Sequence, residues 1–184
     1  MRSIRPLAFG NPGLAAGTAL LWVAVLGGCS TAPMSAAPRA VATLAAKSGS
    51  SVAGTVTFSQ QGDKVRVVAS VSGLNPGQEH GFHVHEKGDC SSADGMSTGG
   101  HFNPMGQPHG PQNRPHHGGD MPSLKADASG KAEATFMLDG VALKGGDMGL
   151  LGKGVIVHVN PDDYVTQPTG NAGGRIACGV ITAS

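Results

Sequence analysis

The segment His80-Gly-Phe82-His83-Val84-His85-Glu86 constrains this chain more than any other. In an extended strand alternate side chains share a face, so His83 and His85 point one way while Phe82 and Val84 point the other. Such a strand packs one face into a core and offers two imidazoles to an ion with the other. Seven of the eight histidines fall between His80 and His117, and the eighth, His158, follows the apolar run Val155-Ile156-Val157. A density of this kind suggests a metal rather than two solvated histidines on a half-buried strand.

Residues 99–120, GGHFNPMGQPHGPQNRPHHGGD, are too rich in Gly and Pro to form a regular helix or a central strand. They carry His101, His109, His117 and Asp120. A loop this long inside a compact domain needs something to order it. Three imidazoles and one carboxylate complete a closed tetrahedral zinc site, whose binding energy becomes folding energy for the segment that supplies it.

Period-two alternation recurs elsewhere. Val52, Gly54, Val56 and Phe58 share one face of a first strand, and Val65, Val67, Ala69 and Val71 one face of a second, with the His83 segment as a third. Further strands are expected over 123–128 and 132–138, joined at Ser129-Gly130, and over 154–159 and 176–182. With 30 glycines and few aromatics the chain disfavours long helices. The expected fold is all-β, a Greek-key β-sandwich or barrel of about eight antiparallel strands, immunoglobulin-like in class.

The N-terminus reads separately. Arg2 and Arg5 precede an apolar run from about Leu14 to Leu26, too short to span a bilayer but suited to a signal segment. Leu26-Gly27-Gly28-Cys29 resembles a bacterial lipobox, which predicts residues 1–28 as a lipoprotein-type signal peptide and Cys29 as a lipidated residue; the rival is an ordinary secretory signal. Both export the protein to the periplasm, and a lipid on Cys29 would hold it at the cell envelope, with Ser30 favouring the outer membrane. Residues 29–50 read as the lipidated cysteine and a flexible tether, and residues 51–184 as the domain.

Without residues 1–28, which hold two arginines and no acid, 11 Lys+Arg stand against 12 Asp+Glu, a balance that calls for no nucleic acid. The chain has three cysteines. If Cys29 carries lipid, Cys90 and Cys178 are left to pair in an oxidising compartment; their competing use is as metal ligands.

Five blocks, GFHVHEKGDC at 81–90, GGHFNP at 99–104, the His117-Gly-Gly-Asp120 ending of the loop, VIVHVNPDD at 155–163 and TGNAGGRIACGVI at 169–181, resemble the copper/zinc superoxide dismutases in their exported bacterial form. The resemblance covers nearly everything from Ser51 onward. It implies one copper per chain held by His83, His85, His101 and His158, and one zinc held by His101, His109, His117 and Asp120, with His101 bridging the two. Further implied roles are Arg175 as the residue that holds the anionic substrate, Asp162 as the acceptor orienting His83 and His109, and Thr169 as the residue narrowing the channel. It also implies long metal-binding and electrostatic loops.

The implied activity is dismutation of superoxide to oxygen and hydrogen peroxide, with Arg175 and His101 as its catalytic residues. A homodimer is compatible with the family, whose dimer contacts vary. The His-x-x-Asp spacing selects His117 over His116, and His80, on the other face from His83 and His85, is expected at the surface. The alternative from another class is a non-catalytic copper- and zinc-binding envelope lipoprotein. Arg175 discriminates between them, because storage does not require a cation beside the metal.

Overall fold

The computed structural model describes residues 37–184; the expected signal peptide and Cys29 lie outside them. Within these residues the chain is built almost wholly of antiparallel strands, with one 3-10 turn at Met96–Thr98. The main strands are β1 (Arg39–Ala46), β2 (Ala53–Gln61), β3 (Lys64–Ser72), β5 (Phe82–His85), β7 (Ala132–Leu138), β8 (Gly154–His158) and β9 (Arg175–Val180). Three two-residue strands complete the set: β4 (Glu79–His80), β6 (Leu124–Lys125) and β10 (Thr182–Ala183).

The ladder runs β5-β8-β9-β1-β2-β3-β7 and curls into a half-barrel, as expected for a Greek-key β-sandwich. β1 makes the corner. Its residues Arg39 to Leu44 pair with β2, while Ala45 and Ala46 pair with Cys178 and Ala177 of β9.

The β2–β3 hairpin closes at Gly62-Asp63, between the paired Gln61 and Lys64. Gly62 has φ 62° and Asp63 does not share the left-handed region, the pattern of a two-residue type II′ turn. Val56 and Phe58 of β2 and Val65, Val67, Ala69 and Val71 of β3 all point inward. Burying each such Val or Phe contributes roughly 1.5–3 kcal/mol, so this alternation fixes the register.

Two expectations are corrected here. Residues 39–46, assigned to the tether, form β1; their alternation Ala40, Ala42, Leu44 is buried but carried largely by alanine, too weak a signal to separate from an Ala-rich linker. The strand expected over 123–128 reduces to Leu124–Lys125, which pairs with Glu79–His80 rather than across the Ser129-Gly130 turn. The turn itself forms, with Asp127 N–H donating to Lys131 O at 2.7 Å.

Candidate metal centre

Register puts the chemistry on one face. β5 pairs with β8 as Phe82–Val157, His83–Ile156 and Val84–Val155, and β8 pairs with β9 so that His158 lies across from Arg175. Phe82, Val84, Val155 and Val157 turn into the core. The opposite face of the same strands carries His83, His85, Ile156 and His158. A register shift between Val157 and His158 re-aims the end of β8, a common use of a bulge beside a site.

Loop 99–120 covers the free edge of β5, which would otherwise leave unpaired backbone groups. Val84 N–H donates to Gly119 O and Phe102 N–H to Val84 O, both at 2.8 Å, while Glu86 N–H donates to Gly100 O at 3.0 Å. Gly119 approaches so closely that a Cβ there would collide with the Val84 carbonyl. This pairing carries His101, His109, His117 and Asp120 over the histidine face.

Two sets of four ligand atoms result, His83/His85/His101/His158 and His101/His109/His117/Asp120, each within 4.8 Å of one another and all buried. His101 belongs to both. In the second set the Nδ1 atoms of His101, His109 and His117 stand 3.0, 2.9 and 3.3 Å from one oxygen of Asp120. Ligands of a tetrahedral zinc at about 2.0–2.1 Å are themselves roughly 3.3 Å apart, so the spacing fits that ion.

The hydrogen bonds decide which ring nitrogen faces inward. His83 Nε2–H donates to Asp162 at 2.7 Å, His85 Nδ1–H to Gly99 O at 2.9 Å, and His158 Nδ1–H to Gly173 O at 3.1 Å. His109 Nε2–H donates to the second oxygen of Asp162 at 2.9 Å. The opposite nitrogens, His83 Nδ1 and the Nε2 atoms of His85, His101 and His158, are buried with no hydrogen-bond partner. Unsatisfied buried polar atoms are costly. Their convergence fits an ion held by neutral imidazoles with oriented backs.

Protonation follows. Burial, helped by the neighbouring His101, pushes His85 well below its ordinary value. Burial likewise lowers His101 to about 4, against its hydrogen bond to Asp120, and His158 to about 3. His109 is the exception: burial works to lower it, but Asp120 and Asp162 together raise it to about 9. Burial opposes ionisation of Asp120 and Asp162, yet the histidine N–H groups around each hold both far below the usual carboxylate range.

Beside the first set lies a cavity of about 210 Å³ lined by His85, His101, His158, Met96, Thr169, Gly173 and Arg175. Arg175 is held by neutral oxygens: Nη1 donates to Gly95 O at 2.9 Å and Nη2 to Gly99 O at 2.7 Å. Among the described residues no carboxylate forms a salt bridge with it. Cys90 and Cys178 form a disulfide that pins the segment before Gly95 to β9, leaving neither thiol as a ligand.

Asp162 reaches its two histidines because the 163–170 segment folds tightly around it. Tyr164 N–H donates to it at 2.7 Å, and Gly170, at φ 64°, approaches where any Cβ would strike its carboxylate. Gln167 bridges back, accepting from His109 N–H and donating to His109 O, both at 2.8 Å.

His80 corrects the sequence expectation. It is fully buried, with Nδ1–H donating to the His158 carbonyl at 2.8 Å. The face opposite the metal is the barrel interior, so the parity that excluded His80 as a ligand also excluded it from the surface. His116 is half-buried and stands apart from both sets. Thr98, Met96 and Gln167 gave no signal, since each acts through a loop conformation that no periodicity encodes.

Fold and site together define a β-sandwich protein with two buried, histidine-linked ligand sets that could each hold a metal ion. Residues 52–181 match the copper/zinc superoxide dismutase family, and the chain belongs to it. Among solved structures it is similar to the clock protein EA4, at 40% identity over 82% of this chain and 97% of that one, TM-score 0.73. It is also similar to a SOD-like protein from Bacillus subtilis, at 37% identity over 76% and 96%, TM-score 0.69. A double mutant of such a Bacillus subtilis protein matches at 38% identity over 77% and 96%, TM-score 0.68.

Proposed function

We propose that this chain dismutates superoxide to oxygen and hydrogen peroxide at a copper held by His83, His85, His101 and His158, with zinc held by His101, His109, His117 and Asp120. Copper supplies a reversible one-electron change when bound, and zinc a fixed charge without redox chemistry. Family membership alone does not carry this, because relatives include proteins described as SOD-like and as a clock protein. The observation that does is Arg175, a guanidinium in no salt bridge among the described residues, opening onto the same cavity as His85, His101 and His158.

The residues divide the work. Arg175 binds and orients a small anion, and Thr169 narrows the cavity opposite it. His101 turns Nδ1 to Asp120 and has Nε2 without a partner, so Nε2 is the atom from which a proton reaches an anion held at Arg175. Asp162 holds His83 and His109 in one tautomer each. The reading extends to an exported protein anchored through Cys29 in the cell envelope; the disulfide agrees with an oxidising compartment.

Arg175→Ala tests it. The variant should keep both metals and lose roughly ten- to a hundredfold in kcat/KM for superoxide, as expected for removing one charged donor from a developing anion. No activity in the doubly metallated parent favours the metal-buffering alternative, which has no need of a cation beside the metal; full activity in Arg175→Ala removes the anion-binding role given to Arg175.

A further inference from the structure

We propose that the Thr98 hydroxyl is a positioning residue for Arg175, fixing which of the guanidinium's N–H groups face the cavity. Thr98 is buried, and its Oγ1 accepts from Arg175 Nη1 at 2.7 Å while donating to Gly95 O at 2.9 Å. Gly95 O accepts from the same Nη1. Both Nη1 hydrogens are therefore taken, and Gly99 O takes one from Nη2.

A guanidinium has five N–H donors. Three are spent on the scaffold, so the Nε–H and one Nη2–H have no hydrogen-bond partner among the described residues. A free pair of donors on a planar fork is the arrangement that takes an anion bidentately. Without Thr98 one Nη1–H loses its acceptor, and the plane is free to rotate about the Gly95 and Gly99 contacts.

The residue type follows from packing on both sides. The Thr98 methyl lies where a Cβ on Gly154 of β8 would come within 2.9 Å of it, so β8 leaves room for that methyl only by being glycine there. One branch of the side chain is locked against β8 and the other is thereby aimed at Arg175. Serine keeps the hydroxyl without the lock, and valine keeps the shape without the acceptor.

The inference deepens the dismutase reading and rests on Arg175 being its anion-binding group. Azide is the probe, titrated by visible absorption into copper- and zinc-loaded parent, Thr98→Val, Thr98→Ala and Thr98→Ser proteins. Metal content and melting temperature are measured on each, and superoxide kcat/KM in parallel. Losing one neutral acceptor to a charged donor should weaken azide binding roughly three- to tenfold in both Thr98→Val and Thr98→Ala, with full metal content and with Thr98→Ser close to the parent.

Parent-like azide binding in either hydroxyl-free variant overturns the proposal. So does a Thr98→Ser loss equal to that of Thr98→Val, which would assign the effect to packing. If the azide pattern holds but the parent shows no superoxide turnover, the positioning role stands and the dismutase reading falls. If turnover is high while azide binding ignores residue 98, the reverse applies.

Discussion

Asp162→Asn separates the two metal sites. The Asp162 carboxylate accepts from His83 Nε2–H through one oxygen, and from both His109 Nε2–H and Tyr164 N–H through the other. Asparagine has one acceptor oxygen and one NH2 group of the same size. Keeping two donors satisfied outweighs keeping one, so the carbonyl takes the His109/Tyr164 position and the NH2 faces His83. Two donors then oppose each other. His83 relieves the clash by moving its proton to Nδ1, the atom that points into the first metal set. Loss of a partner behind a ligating histidine costs roughly 10- to 100-fold in metal affinity, or about 1.4–2.8 kcal/mol. The loss should fall on the His83/His85/His101/His158 set, with the Asp120 set changed by less than about threefold, a spread within ordinary mutational scatter. Competition titrations of copper and zinc against chelators of graded strength read the two sites separately. Equal weakening of both, or selective weakening of zinc, would refute the assignment of oxygens to donors.

Replacing Cys90 and Cys178 together by serine opens a cross-link spanning 88 residues and should cost about 4–5 kcal/mol of unfolding free energy in the chain-entropy picture, read by denaturant titration of metal-free protein. In metal-free protein, stability should peak near pH 6.5. His101 at about 4 and His158 at about 3 lie below the ordinary 6.5, so acidification through 6.5 favours the unfolded chain; His109 at about 9 lies above it, so its contribution is lost as pH rises from 6.5 through 9. Melting temperatures at pH 4.5, 6.5 and 9.5 in the presence of chelator check this, and a monotonic trend contradicts it.

Much of this protein is legible in its residues. Strand periodicity alone places His83 and His85 together on one face with Phe82 and Val84 on the other, because side-chain direction alternates in any extended chain. The β2–β3 hairpin is equally local, set by Gly62-Asp63 between two alternating runs. The ligand types of loop 99–120 and the unsuitability of that loop for helix or sheet are also properties of composition.

Tertiary structure decided what depends on contacts between distant segments. Which face of β5 is core and which is site was decided by packing, with Phe82 and Val84 in the core, and His80 of β4 is buried against the His158 carbonyl. β1 became a strand because it pairs with β2 and β9 at the corner of the ladder and buries Ala40, Ala42 and Leu44, an alternation too dependent on alanine to stand out in the sequence. The tautomer of each histidine, and so the atom it offers, is set by Asp162, Gly99 O or Gly173 O, partners supplied by other loops. Sequence names the donors; the direction in which each points is a hydrogen-bond decision made only when the loops close over the sheet.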